Sequence, residues 1–186
     1  MSRKNGPWTV LSTERPYHDE FIDVAVDAVI QPDGERGQYA TVRMKPGVTV
    51  LPVLDDGRVA LVRQFRYALG AESLEAPAGG IDEGESPLDA AKRELKEEMG
   101  IQAAEWEALG TVHIDTSIVH CPDHLFVARG LTFGEPDREG TEDMKGQRVP
   151  LDEAVEMVVR GEIVQASSCV LILRAARDAR AGEGDS

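Results

Sequence analysis

The sequence predicts a mixed fold of β-strands and α-helices, on three observations. The first third breaks into short β-branched and aromatic runs separated by turn residues, one capped amphipathic helix follows a Gly/Pro-rich stretch, and the remainder places a buried strand ahead of two helical segments. With 186 residues and 41% hydrophobic content, the chain suits one packed domain better than two. A single unit over residues 1–186 is expected, with a strand arm to about residue 45, a core over 46–178 and a disordered tail over 179–186.

The strand runs are WTVLSTE from Trp8, FIDVAVDAVI from Phe21, YATVRM from Tyr39 and VTVLPVL from Val48. Pro32-Asp33-Gly34 and Asp55-Asp56-Gly57 supply residues that tolerate tight turns. VALVRQFRY, from Val59 to Tyr67, is a further strand that begins apolar and ends with Arg63 and Arg66. After EAPAGGIDEGE comes the capped helix, then the buried strand HLFVARGL and a polar loop from Gly134 to Gly146. LDEAVEMVVRG and ASSCVLILRAARDA complete the chain as helices, the second strongly apolar along one side.

The formal charge of −14 opposes nonspecific attachment to a nucleic acid polymer or an anionic membrane, so a phosphate-bearing ligand must be met by metal ions or a local basic patch. MSRKNGPWTV has no apolar leader core, and no later stretch reaches spanning length, so a cytoplasmic location without a membrane partner is expected. Cys121 and Cys169 are the only cysteines, which fits free thiols in a reducing compartment.

The helix after the Gly/Pro-rich stretch has clear ends. Ser86 caps it, Pro87 fits the first position, Asp89 favours the positive end of the dipole, and Gly100 stops it. Leu88, Ala91, Leu95 and Met99 form the core stripe, with Glu98 about 70° and Glu94 about 110° from its centre and Glu97 nearly opposite. Acids in the last turns oppose the dipole, and Glu94 repels Glu98 by roughly 0.2–0.5 kcal/mol. On spacing alone, a solvated face balanced by Lys92, Arg93 and Lys96 accounts for the run as well as a metal platform does. Glycines 79, 80 and 84 favour the platform, because they let the upstream loop fold back and bring Glu85 and backbone carbonyls toward the helix. Such an oxygen-only donor set suits a hard divalent cation that takes its remaining ligands from water and phosphate.

These residues resemble the Nudix box: Gly79, Glu85, Arg93, Glu94, Leu95, Glu97, Glu98, Gly100 and Ile101 each stand at a matching position. The resemblance implies a Nudix-type α/β/α sandwich around a mixed β-sheet, here with an N-terminal antiparallel strand segment. It also implies hydrolysis of a nucleoside diphosphate linked to another moiety, with Mg²⁺ or Mn²⁺ as cofactor. Glu94 and Glu98 would be the main metal ligands, Glu97 a ligand or a partner of metal-held water, and the Ala78 carbonyl a fourth donor. Arg93 and Glu85 would orient these glutamates beside Gly79. Metal held there can polarise a phosphoryl oxygen, acidify the attacking water and neutralise the leaving phosphate.

Wider similarity, from Trp8 to the last helix, points to the ADP-ribose pyrophosphatase branch, through VRQFRY, LEAPAGGIDEGE and RGEIVQASSCVLILRA. By that resemblance Arg66 would touch the diphosphate, Arg63 and Gln64 would lie nearby, and Glu75 would line the site. Arg63 and Arg66 are three apart on a strand and so face opposite ways, which favours Arg66. A general base is expected from the loop holding Glu135, Asp137, Glu139, Glu142 and Asp143, with Glu142 first by spacing. Trp8 would stack on a base, or pack in a core or interface.

In place of the Pro-Gly-aromatic segment usual in ADP-ribose-specific members, this chain has His113-Ile114-Asp115-Thr116-Ser117-Ile118-Val119, which leaves GDP-mannose, UDP-sugars or another dinucleotide open. His120, Cys121 and His124 lack the second ligand pair of a structural zinc site. A nucleoside diphosphate sugar is the expected substrate and a homodimer the expected assembly. The competing readings are a nucleotide-sugar sensor that does not cleave, against which every box carboxylate is present, and an enzyme acting on nucleoside triphosphates.

Overall fold

The computed structural model describes residues 2–136 and 144–183. The chain divides into two compact units, one formed by the residues up to Pro46 together with His113–Pro122, the other by Gly47–Val112 together with the chain from Asp123.

The first unit is a five-stranded sheet in the order β1-β2-β3-β4-β10. Its strands are β1 (Arg3–Asn5), β2 (Trp8–His18), β3 (Ile22–Ile30), β4 (Arg36–Met44) and β10 (Val119–His120). The consecutive strands pair antiparallel, and β10 joins β4 in parallel, with Val119 opposite Val42. The Pro32-Asp33-Gly34 turn forms as expected, with Gly34 at φ 93, a conformation that a Cβ would strain. Asp115 accepts the Ser117 amide at 2.8 Å, so the segment replacing the Pro-Gly-aromatic pattern is a compact Asx turn.

The second unit holds two sheets. One is mixed, in the order β8-β5-β11-β9, and is made of β5 (Gly47–Pro52), β8 (Ala78–Gly80), β9 (Ile101–His113) and β11 (Pro122–Phe133). The other joins β12 (Lys145–Pro150), β6 (Arg58–Arg66) and β7 (Ala71–Glu75). Period-two alternation assigns each face a helical layer. Val48, Val50, Phe126 and Ala128 pack with Ala90, Ala91 and Leu95 of α1 (Pro87–Met99). Leu51, Leu125 and Val127 turn the other way, onto α2 (Leu151–Val159) and α3 (Ala166–Glu183). This is the α/β/α layering expected, and each fully buried Leu or Ile in it contributes about 1.5–3 kcal/mol.

Two expectations need correction. The tail predicted to be disordered from residue 179 is helical through Glu183, because the Ala- and Arg-rich run ARAGE continues α3 and Arg180 reaches Asp152 at 3.3 Å. The polar loop predicted to run to Gly146 ends earlier, since Lys145 and Gly146 already pair with Arg63 and Val62 in β12.

Candidate active site

The helix α1 starts and stops where its sequence dictates. The Ser86 hydroxyl accepts the Asp89 amide at 3.2 Å, capping the helix, and donates to the Asp89 carboxylate at 2.6 Å. Gly100 ends the helix at φ 65, donating to the Lys96 carbonyl at 2.8 Å. A Cβ there would lie 2.3 Å from the Gly134 carbonyl oxygen, so only glycine fits.

Arg93 gathers the acids around it. Its Nε and Nη2 donate to the two oxygens of Glu85 at 3.0 and 2.9 Å, and its Nη1 donates to Glu94 at 2.7 Å and Glu97 at 3.1 Å. Nη2 also donates to the Gly80 carbonyl at 2.8 Å, which ties the glycine loop to the helix. This pairing holds the Glu85 carboxyl below the usual carboxylate range and makes Arg93 still harder to deprotonate, Glu85 being the larger influence. Burial of Arg93 opposes that shift without reversing it.

Glu98 is only 3% exposed, deeper than the helical-wheel position at the edge of the stripe suggests. Its Oε2 accepts the Ala78 amide at 3.3 Å. Glu94 lies against the α-carbon of Gly79, where an added Cβ would be 2.0 Å from its carboxylate carbon. Among the described residues no three acidic, His or Cys side chains converge on one point as a closed metal cage. The physical reason is that Arg93 draws Glu85, Glu94 and Glu97 toward itself while Glu98 leans to Ala78. The donor chemistry nevertheless fits a hard divalent cation. Buried or half-buried carboxylates share one helix end, a Cβ-free cradle admits one of them, and a magnesium-like ion needs only one or two protein carboxylates.

On β6 and β7, Arg66 donates from Nε and Nη2 to Glu75, the shortest contact being 2.5 Å, and Glu75 is 2% exposed. The register sets Val62 opposite Glu75 and Gln64 opposite Ser73, so Gln64, Arg66 and Glu75 share the face from which Ala60 packs toward α1. Gln64 is buried, and its Nε2 has no hydrogen-bond partner among the described residues. Arg63 points to the other face, where its Nη2 donates to Gln147 at 3.3 Å.

Trp8 belongs to the first unit, where its ring meets Tyr39 edge-on at 5.3 Å. Together with Asn5, Asp27 and Thr41 it lines a cavity of about 260 Å³. Glu142, Asp137, Glu139 and Asp143 lie outside the described residues, and Glu135 is exposed. His120 is exposed, the Cys121 thiol donates to the Lys45 carbonyl at 3.5 Å, and His124 pairs with the Thr111 hydroxyl at 3.1 Å. Sequence reasoning missed the Gly80 carbonyl on Arg93 and the buried hydroxyls of Thr49, Ser167 and Ser168. Small polar residues read as surface, and only the helix-start pattern at Gln165-Ala166-Ser167-Ser168 hinted otherwise.

Fold, capped acid-bearing helix and glycine loop together define a Nudix enzyme. Residues 43–167 match the NUDIX domain, and the chain belongs to the Nudix hydrolase family, whose members are generally dependent on divalent metal. Residues 8–42 match the nucleoside diphosphate sugar hydrolase N-terminal domain. An ADP-ribose pyrophosphatase of Bacillus subtilis (strain 168) is 30% identical over 87% of this chain and 89% of its own length. Another, from Mycobacterium tuberculosis, is 32% identical over 88% and 80% respectively. A crystal structure of an ADP compounds hydrolase superposes over 100% of both chains with a TM-score of 0.83 at 24% identity, a likeness of fold. No described helix is long and apolar enough to cross a membrane.

Proposed function

We propose that this chain hydrolyses the diphosphate linkage of ADP-ribose or a related nucleoside diphosphate sugar, using Mg²⁺ or Mn²⁺ and releasing a nucleoside monophosphate and a sugar phosphate. The observation that carries the reading is the buried Glu98 carboxylate at the end of α1, beside Glu94 in its Gly79 cradle. The ADP-ribose pyrophosphatases among its relatives support the substrate class.

In this reading Glu94, Glu97, Glu98 and the Ala78 carbonyl hold the cation, which when bound neutralises phosphate charge and polarises the phosphoryl oxygen. Arg93, fixed by Glu85, orients Glu94 and Glu97. Arg66 binds diphosphate oxygens from a guanidinium anchored on Glu75, a local positive charge in a chain of net charge −14. Gln64 offers a buried amide donor on the same face, and Arg63 plays a lesser part. Glu142, outside the described residues, is the proposed general base, taking a proton from the attacking water as a new P–O bond forms and the bridging P–O bond breaks. Trp8 is proposed to stack on the base. The reading includes a single-domain organisation, a cytoplasmic location and a homodimer; the dimer is tested by light scattering on the purified chain.

The deciding experiment supplies the metal-loaded protein with ADP-ribose, GDP-mannose, a UDP-sugar and a nucleoside triphosphate in ¹⁸O-labelled water, with products identified by mass. Release of AMP from ADP-ribose, or GMP from GDP-mannose, supports the reading. No turnover across the panel rejects it, and stoichiometric ligand retention without product favours a sensor.

A further inference from the structure

The segment Ala76-Pro77 links β7 to β8 and joins the two halves of the candidate site. Immediately before it stands Glu75, which anchors Arg66, and immediately after it Ala78, whose amide donates to Glu98. Proline has no N–H, and the Pro77 carbonyl accepts the Val50 amide at 2.8 Å. The buried Ala76 amide remains to be satisfied, and its partner comes from 92 positions further along the chain: the hydroxyl of Ser168, at 2.9 Å.

Ser168 is itself held firmly. It lies in the first turn of α3 with 0% exposure, and its own amide donates to the Gln165 side chain at 2.6 Å, which caps the helix. Its neighbour Ser167 is equally buried, but its hydroxyl is directed at the Asp123 carboxylate rather than at the link between β7 and β8. Two adjacent serines of equal burial thus differ in what they touch, and Ser168 is the one that grips the link between β7 and β8.

We propose that Ser168 is a positioning residue, through which the first turn of α3 fixes the backbone between Glu75 and Ala78 and so sets the geometry of Glu98 and Arg66 together. Its kinetic consequence rests on the reading under Proposed function; its consequence for cation binding does not require a substrate.

The test uses the full chain. Mn²⁺ binding is measured by titration calorimetry, and kcat and KM with ADP-ribose, for wild type and for Ser168→Ala, Ser168→Thr and Ser167→Ala. Ser168→Ala is expected to weaken Mn²⁺ binding about tenfold and to lower kcat by a similar factor, as loss of an outer hydrogen-bond partner does at metal sites. Ser168→Thr, which keeps the hydroxyl, is expected to restore both to within about twofold, and Ser167→Ala to leave both within about twofold. If Ser168→Ala does not fold, Ser168→Cys, with its weaker acceptor, carries the comparison. Mn²⁺ affinity unchanged in the Ser168 variant, whatever its melting temperature, overturns the proposal. Equal losses in the Ser167 and Ser168 variants also overturn it. A wild type that binds Mn²⁺ but cleaves nothing rejects the proposed substrate class while the calorimetry still decides the role of Ser168. A wild type that binds no Mn²⁺ rejects both.

Discussion

Glu94 rests its carboxylate directly on the α-carbon of Gly79, so closely that a Cβ at that position would lie 2.0 Å from the carboxylate carbon. The glycine is there to let an acid in. Gly79→Ala must displace Glu94, and overpacking of this kind costs about 1–3 kcal/mol. The expected outcome is a lower urea midpoint together with a turnover loss of more than about tenfold, because the displaced group is a proposed metal ligand.

Glu98→Gln should separate chemistry from folding. The amide oxygen still accepts the Ala78 N–H, and the variant removes a charge from a site 3% exposed. Melting temperature is expected to hold or rise, while turnover falls about 100-fold or more. A variant that melts normally and retains turnover would refute the assigned role.

Arg66 and Glu75 permit a double-mutant test. Arg66→Ala leaves a 2% exposed carboxylate without its guanidinium, costing about 1–3 kcal/mol, and should raise KM. Adding Glu75→Gln should return much of the stability and none of the substrate affinity. Recovery of both would mean that Arg66 acts only as a structural partner.

The pH dependence of stability should contain two opposite contributions. Glu85 has a depressed pKa in the folded chain because Arg93 pairs with it, so its contribution is complete above the ordinary Glu value of about 4.3 and is lost as pH falls through the lowered value. Asp123 has its pKa raised by burial, only partly countered by the Ser167 and Thr49 hydroxyls. There the folded chain binds the proton more tightly than the unfolded one, so stability declines as pH rises from about 3.9 to the raised value. Denaturation curves from pH 3 to 7 should show Glu85→Gln converging on wild type toward acid pH and Asp123→Asn pulling ahead of it toward neutral pH. The reverse order would contradict the assigned shifts.

The parts of the molecule legible in the sequence are those specified by neighbours along the chain. Ser86, Pro87, Asp89 and Gly100 delimit α1 by local capping chemistry, and Pro32-Asp33-Gly34 announces its own turn. Strand β9 escaped because AAEWEAL is rich in residues that favour helix, and it forms a half-exposed strand at one end of its sheet. The short β7 and β8 lack β-branched residues and exist through pairing with β6 and β5. The depth of Glu98 and the Ser168–Ala76 bond depend on packing between segments distant in sequence, which no local pattern encodes.

Arg93 gives the acid-laden end of α1 a positive charge of the protein's own, shared among Glu85, Glu94 and Glu97. In small zinc modules the ion is the keystone, and stripping it collapses the chain. Here the keystone is covalently built in, so fluctuations in the supply of divalent ions should throttle output without exposing the polypeptide to aggregation or degradation.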